Sequence, residues 1–415
     1  MKANNTLLSV GAVAMLWLSH AAIADNFSTT VTIDGITRTL SFANFDEAIN
    51  AANNPDQYQG LFPGVTSTVG AVVNLDFKGV PVQFEKVSAT NVIVTLPSLG
   101  VTESVKVAAG SGISSSAVTQ QLNTKVENIL KGYSAPINKE LAKVDPADPL
   151  GGNPSSIMGI MVENAYLLGT SDDWPTDSAK PSAKNSFDAG ARYGHYALSG
   201  KSVDTITFPF GYTFKIDDRQ RLIVSVPFTY IDTQGAQSYD GGAGFAYQYR
   251  INKQWVLTPA VAYGFRGSFD LADVGHIASG TLTSKYTFDL DALDPNTFKL
   301  TVGNMAGYYT SLPYDMDGHS VDPDLQNYII KNGLTLGKNI GSHFLGNELY
   351  IAANFTDTEY FGSRLFVDQY NELGMSVKTV NSKNWVGGLG FNANYLFSAT
   401  GKNVEGYRVG LNYQF

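Results

Sequence analysis

The chain has 415 residues, a net charge of −9 and no cysteine. The missing cysteines exclude disulfide bonds and thiolate metal sites, and the acidic balance argues against binding to nucleic acid, which requires clustered basic residues. Glycine and aromatic residues are abundant (Gly 41, Tyr 22, Phe 23), whereas charged residues make up only 16%. This composition is typical of chains whose strands enclose a polar lumen and present aromatic side chains at membrane interfaces.

Residues 1–24 have the features of a secretory signal peptide. Lys2 precedes an apolar run at residues 7–18, and Ala22-Ile23-Ala24 fits the small-x-small pattern of a cleavage site. The run is too short to span a bilayer as a helix, and no later segment reaches about 18 uninterrupted apolar residues. We therefore expect an exported chain in which any membrane insertion uses strands.

Residues 25–144 read as a small α+β domain. The segment 31–37 predicts a hairpin in which Asp34-Gly35 supplies the turn positions with positive φ. Strand-like runs rich in β-branched residues follow at 69–77, 80–87 and 92–96. Residues 114–116 can cap a helix that Gly132 and Pro136 interrupt. Residues 145–185 then form a Pro/Gly-rich linker that can hold a pore segment.

Residues 186–415 change to alternating apolar and polar side chains in segments separated by turn residues. This is the pattern of strands tilted across a bilayer. The predicted strands are 186–198, 203–216, 221–233, 241–251, 255–268, 276–290, 297–312, 324–340, 346–361, 364–379, 384–397 and 404–415. The count of twelve is even, as a barrel with both ends in the periplasm requires. Short turns at 217–220 and 252–254 are predicted on the periplasmic side, and longer loops at 232–241 and 313–323 outside.

The segment 157–168 is ambiguous. Its alternation would permit a strand, but a thirteenth strand would reverse the order of short and long connections. We therefore predict a helix or plug segment inside or beneath the barrel.

The polar phase of the predicted strands is rich in basic residues and poor in acids, which are mainly Asp188 and Asp289. The predicted lumen-facing basic residues are Arg192, Lys215, Arg250, Arg266, Lys285, Lys299, Lys331 and Arg408. Basic side chains near strand ends can anchor at lipid phosphates or extend to the interface. Alternatively, the lumen favours anions or holds an acidic plug.

Sites for metals and catalysis receive little support. Asp315, Asp317, Asp322 and Asp324 crowd one predicted outer loop, and such carboxylates are ligands for Ca²⁺ or Mg²⁺. The spacing differs from that of an EF-hand, and a solvated, turn-rich loop is the commoner explanation for such a cluster. The histidines after the signal peptide are scattered, with Ser199 and Ser279 as serines near a histidine, and no hydrolase motif is present. We expect no enzymatic activity and no cofactor.

The last strand carries the most specific signal. Apolar side chains occupy every second position back from the final residue, and the predicted assembly signal consists of Tyr407, Val409, Leu411, Tyr413 and Phe415. A terminal aromatic strand of this kind resembles the signal by which bacterial outer-membrane barrels are recognised for assembly. The whole layout (signal peptide, short domain, linker and a twelve-stranded barrel) resembles the autotransporter family in its short or solitary form.

The resemblance implies a location in the outer membrane of a Gram-negative bacterium and insertion by the barrel-assembly machinery with periplasmic chaperones. The chain would contact lipopolysaccharide, and we expect a monomer. In this interpretation the barrel anchors the N-terminal domain and displays it. Two alternatives remain: a pore for small anionic solutes with a periplasmic or plug domain, and an outer-membrane hydrolase with a polar cluster at its lipid-facing rim.

Overall fold

A computed structural model describes most of the chain. The described residues are 27–42, 47–48, 61–62, 69–108, 114–171, 185–268, 273–290, 298–316, 319–344, 347–380 and 388–414. The predicted signal peptide, Asp317 and Phe415 therefore lie outside the described residues.

The N-terminal region contains an antiparallel sheet of six strands in the order β2-β1-β3-β4-β5-β6. The strands are β1 (Phe27–Ile33), β2 (Ile36–Phe42), β3 (Val72–Phe77), β4 (Val80–Ser88), β5 (Asn91–Leu96) and β6 (Val101–Lys106). The predicted hairpin is confirmed, because β1 pairs with β2 through a turn with φ of 50° at Asp34 and 77° at Gly35. Strand β6 was not predicted from the sequence.

Two helices cover one face of this sheet: α1 (Ser115–Gly132) and α2 (Ser134–Val144). The predicted N-cap is confirmed, because the Ser114 hydroxyl accepts a hydrogen bond from the Ala117 backbone N–H at 3.2 Å. Buried apolar residues of both helices pack with buried residues of the strands in one hydrophobic cluster. This burial fixes the helices on the sheet and leaves the other sheet face polar.

Residues 186–414 form a closed antiparallel barrel of twelve strands, which confirms the predicted fold class and strand count. The strands are β7 (Ser186–Leu198), β8 (Lys201–Lys215), β9 (Gln220–Thr233), β10 (Ala236–Arg250), β11 (Trp255–Ser268), β12 (Asp273–Asp289), β13 (Lys299–Ser311), β16 (Gln326–Phe344), β17 (Asn347–Gly362), β18 (Gln369–Val380), β19 (Leu389–Phe397) and β20 (Val404–Gln414). A hairpin of β14 (Tyr314–Met316) and β15 (His319–Val321) stands in the connection between β13 and β16. The last strand pairs with the first along its length and closes the barrel.

The outer wall of the barrel is apolar. Large side chains that would be buried in a soluble protein are exposed on the predicted lipid-facing phase, for example Phe208, Phe210, Phe228, Phe245, Val261, Leu282, Leu334, Phe355, Phe391, Tyr407 and Leu411. The opposite phase is buried and largely polar or small. Every backbone group in a closed barrel is paired, so this surface can face hydrocarbon.

The barrel has two distinct ends. We call the end where β7 begins and β20 stops the terminal end, and the end that carries the β7–β8, β13–β16 and β17–β18 connections the loop end.

The predicted long loop at 232–241 is wrong: β9 and β10 continue as a paired ribbon, and the turn is only Gln234-Gly235, both with positive φ. The strands extend past the membrane, where outward side chains need not be apolar.

The N-terminal region contacts the loop end. Lys139 Nζ of α2 lies 2.7 Å from Asp324 Oδ2, and Lys201 Nζ lies 2.8 Å from Asp145 Oδ1. The Phe366 backbone N–H donates to the Ala142 carbonyl at 2.7 Å. Hydrogen bonding to Lys139 and then to Gln326 lowers the pKa of Asp324. The Lys139–Asp324 pair is exposed and contributes little energy by itself.

None of the helices that the structure describes is both long and apolar enough to cross a membrane.

Candidate functional site in the barrel lumen

The lumen contains a helix, α3 (Ile157–Thr170). The Ser156 hydroxyl caps it by accepting from the Gly159 backbone N–H at 3.0 Å. Its residues are buried on almost every side and contact strands β10 to β13 and β16. The prediction of a helix or plug at 157–168 is therefore confirmed, and the helix lies inside the barrel. A helix that is mostly apolar on all sides is the expected form for a segment enclosed by the barrel wall.

The residues before α3 form a compact turn, although their composition predicts a linker. Residues 148–158 are all buried. Asp148 Oδ1 accepts from the backbone N–H groups of Leu150 and Gly151, at 3.0 and 2.8 Å. Gly152 has a φ of 87°, and a Cβ there would lie 2.2 Å from the Val367 carbonyl oxygen, so only glycine fits beneath the β17–β18 connection. The turn closes the loop end of the lumen.

The direction of α3 is fixed by its contacts along β12, which runs from the loop end to the terminal end. A Cβ added to Gly275, near the start of β12, would meet Leu150 and Ile157. Near the end of β12, Lys285 Nζ donates to the Ser171 carbonyl at 2.6 Å. The helix therefore begins at the loop end and stops towards the terminal end, where β7 begins.

Small residues in the wall make room for α3. Gly303 and Gly333 face each other across β13 and β16, and an added Cβ would lie 2.6 Å and 2.0 Å, respectively, from the Tyr166 hydroxyl oxygen. On β10 and β11 the inward positions next to the helix are also small: Gly242, Gly244, Ala246, Ala260, Ala262 and Gly264. A cavity of about 40 Å³ remains on that side. It is far smaller than a substrate pocket, which needs about 300 Å³ or more.

Four buried charges link the helix to the wall. Glu163 of α3 places Oε2 at 3.2 Å from Lys331 Nζ and Oε1 at 3.0 Å from Arg408 Nη2. Glu372 of β18 binds the same two cations, at 2.6 and 2.5 Å. The exposed side-chain fractions are 1% for Lys331, 4% for Glu372, 9% for Arg408 and 10% for Glu163. Each carboxylate contacts both cations, so removing any member would leave the remaining buried charges out of balance.

Further polar contacts hold both ends of the plug. Arg266 binds Asp240 through Nε and Nη2 at 2.5 and 2.6 Å, and its Nη2 also donates to the Ser155 carbonyl at 2.5 Å. Gln248 donates to the Leu168 carbonyl at 2.7 Å. With Lys285, this bond satisfies carbonyl groups that a helix C-terminus leaves without a partner.

The structure divides the predicted lumen-facing basic residues into two groups. Arg192, Arg266, Lys285, Lys331 and Arg408 lie in the lumen and contact α3, its flanks or the charged cluster; Arg192 donates to Asn164 Oδ1 at 2.5 Å. Lys215, Arg250 and Lys299 lie at the terminal end. Lys215 pairs with Asp218 at 3.0 Å, Arg250 donates to carbonyls of the neighbouring turn, and Lys299 Nζ is 3.9 Å from Asp289.

The expectation of a lumen poor in acids, mainly Asp188 and Asp289, is wrong. Glu163, Glu372 and Asp240 neutralise much of the basic charge. Asp240 lies in the part of β10 that the sequence predicts as a loop, Glu372 lies on β18, and Glu163 lies on the helix. The prediction of a plug at 157–168 was the sequence signal that could have identified Glu163.

The acidic outer loop shows no metal site among its described residues. Asp324 is engaged by Lys139 and Gln326, and Asp322 accepts from the Asp324 backbone N–H at 3.0 Å. Asp315 has an exposed side chain in β14, and Asp317 lies outside the described residues. In the described part of the chain, no three histidine, aspartate or glutamate side chains are grouped to hold a metal ion.

The histidines and serines do not assemble a hydrolase site in the described residues. His195 lies on the outer face, with Nδ1 2.9 Å from Asp204 Oδ1, and the Ser199 hydroxyl donates instead to the Lys402 carbonyl. His276 bonds to the Tyr263 hydroxyl on the outer face, whereas Ser279 lines the lumen. Among the described residues, neither of these two serines is hydrogen-bonded to a histidine.

The predicted assembly signal lies on the outer face of β20. Tyr407 and Leu411 are exposed, Val409 and Tyr413 are partly exposed, and Phe415 lies outside the described residues. This placement agrees with the predicted lipid-facing phase. The role in assembly stays a prediction.

No protein-family model and no curated protein matches this chain. Similar solved structures include the β-domain of the Bordetella autotransporter BrkA (17% identity, 55% of this chain, 98% of that chain, TM-score 0.42). Another is the translocator domain of the autotransporter NalP from Neisseria meningitidis (11% identity, 62% of this chain, 96% of that chain, TM-score 0.42). They also include the COG4313 outer-membrane channel from Pseudomonas putida F1 (11% identity, 59% of this chain, 97% of that chain, TM-score 0.38).

The closed strand topology and the apolar outer surface are those of a barrel that spans a membrane. The chain is an outer-membrane β-barrel protein whose lumen is occupied by its own helix.

Proposed function

We propose that this barrel anchors the N-terminal domain in the outer membrane and displays it at the cell surface, with α3 as the plug that connects the two. The observation that carries the proposal is the direction of α3. The helix begins at the loop end, beside the domain, and stops towards the terminal end, where the first barrel strand begins.

In outer-membrane barrels with an even number of strands, both ends of the barrel segment face the periplasm. The terminal end is then periplasmic, and the loop end faces outward. The domain contacts the loop end through Lys139 and Asp145. The chain would reach that position by passing through the lumen, and α3 would mark the path that remains filled. Assembly by the barrel-assembly machinery, directed by the terminal aromatic strand, belongs to the same proposal.

A pore for small anionic solutes is the second candidate. The basic wall residues Arg192, Lys331 and Arg408 support it. However, α3 occupies the lumen and binds these same residues, so conduction would require the helix to leave. The display function is consistent with a lumen that α3 occupies, whereas the pore function requires a second state in which α3 has left the lumen.

Epitope insertion distinguishes the two arrangements. We expect an epitope inserted in the exposed Asp34-Gly35 turn to bind antibody on intact cells, because this turn belongs to the displayed domain. The matched control is the same epitope in the Asp217-Asp218 turn at the terminal end, which should be labelled only after permeabilisation of the outer membrane. Labelling of the Asp34-Gly35 epitope only after permeabilisation would overturn the display proposal and favour a periplasmic domain.

A further inference from the structure

The wall half of the charged cluster is built to hold a carboxylate. We use "wall cluster" for Lys331, Glu372 and Arg408, which all belong to barrel strands. Glu372 and Glu163 bind this Lys–Arg pair in the same way, with one oxygen on each cation. The wall cluster therefore offers two carboxylate positions, with shorter contacts at Glu372 (2.6 and 2.5 Å) than at Glu163 (3.2 and 3.0 Å). One is filled by a wall residue, and the other is filled by the plug helix.

The charge balance shows what the second position requires. Lys331 and Arg408 carry two positive charges and Glu372 carries one negative charge, so the wall cluster without Glu163 keeps one net positive charge. Arg192 adds another beside it, since it bonds to Asn164, the neighbour of Glu163. An uncompensated cation at this burial is costly, and an anion in the second position offsets that cost.

The surroundings favour a small organic acid over a bulky anion. The rings of Tyr166 and Tyr370 have their centres 5.4 and 5.8 Å from Lys331 Nζ, so aromatic carbon borders this cation. A carboxylate with a short apolar tail matches this combination of two hydrogen-bond donors and an apolar border.

We propose that the wall cluster and Arg192 form a binding site for small monocarboxylates, and that Glu163 occupies this site as a tethered ligand. The inference does not depend on which side of the membrane holds the N-terminal domain. Its success or failure is therefore separate from that of the display proposal.

The test is chemical rescue of Glu163→Ala with acetate. This substitution deletes two carbon and two oxygen atoms, which are the heavy atoms of acetate. We expect the full-length variant, refolded into detergent at neutral pH, to give a higher folded yield in sodium acetate than in sodium chloride of equal ionic strength. The unfolding midpoint, measured by heat-dependent gel mobility, should rise with acetate and saturate. If the variant does not fold in chloride, the yield in acetate is itself the measurement.

Three controls define the site. Wild-type protein and Glu163→Gln should show no acetate-specific effect, because the second position is already filled. Glu163→Ala combined with Lys331→Met should lose the response, because one of the two donors is gone. Butyrate should rescue Glu163→Ala less well than acetate, because its longer tail exceeds the deleted volume. Equal effects of acetate and chloride on Glu163→Ala, or an undiminished response in the double variant, would overturn the proposal.

Discussion

Replacing Lys331 with methionine is expected to cost about 3–5 kcal/mol of barrel stability, the usual penalty for removing one partner of a buried ion pair. Lys331 binds Glu163 at 3.2 Å and Glu372 at 2.6 Å, and it is almost fully buried. Without it, two buried carboxylates share Arg408. The midpoint of heat-dependent gel mobility should fall, and ion conductance in planar bilayers should rise because α3 is held less firmly.

The matched control is Lys299→Met. Lys299 belongs to the same predicted set of basic residues but lies at the terminal end, partly exposed and 3.9 Å from Asp289. Exposed pairs contribute about 0–1 kcal/mol, so this variant should resemble wild type. A Lys331→Met barrel with the same midpoint and conductance as Lys299→Met would show that the charged cluster does not retain the helix.

Gly333→Ala is expected to give the second large effect. The new Cβ would lie 2.0 Å from the Tyr166 hydroxyl oxygen, and the wall cannot move away because Gly333 is paired on both sides in the barrel. Overpacking of this kind costs about 1–3 kcal/mol. The same gel assay should therefore show a lower unfolding midpoint, and α3 should be held less firmly in the lumen.

A double-mutant cycle with Tyr166→Phe tests the cause. Removing the hydroxyl leaves Tyr166 Cζ as the nearest ring atom, 3.1 Å from the new Cβ, so the double variant should recover part of the loss. Thr356 Cγ2, at 2.9 Å, must still rotate, which is why recovery is partial. The control is Gly280→Ala, where a Cβ has no neighbour within 4 Å. Strict additivity of the two substitutions would contradict the packing of Tyr166 on Gly333.

The strands of the barrel could be predicted because the bilayer imposes a simple rule. Where a strand crosses hydrocarbon, every second side chain must be apolar, and β7 and β11 have the predicted bounds for this reason. Outside the bilayer the rule lapses. For this reason the sequence predicts a loop where the ends of β9 and β10 are paired, and it predicts the start of β18 earlier than Gln369, where the strand begins.

The lumen could be predicted only in part. Strand phase shows that Lys331 and Arg408 face inward, but it does not show which acid reaches them. Glu372 is 41 residues from Lys331 in the chain, and their contact depends on the barrel curvature. The position of Glu163 depends on the depth and rotation of α3, which are set by the wall glycines. The periodicity of one segment contains no information on the contact between Glu372 and Lys331 or on the position of Glu163.

A thiol cross-link on intact cells tests most directly whether the plugged barrel carries its domain on the outer side. The chain has no cysteine, so Lys139→Cys and Asp324→Cys introduce a unique pair at the contact between α2 and the loop end. A short, membrane-impermeant reagent with two thiol-reactive groups should join them without permeabilisation. The control pair, Lys139→Cys with Asp218→Cys at the terminal end, should not be joined. Cross-linking of the first pair only in permeabilised cells, or of the second pair at all, would contradict the outward orientation.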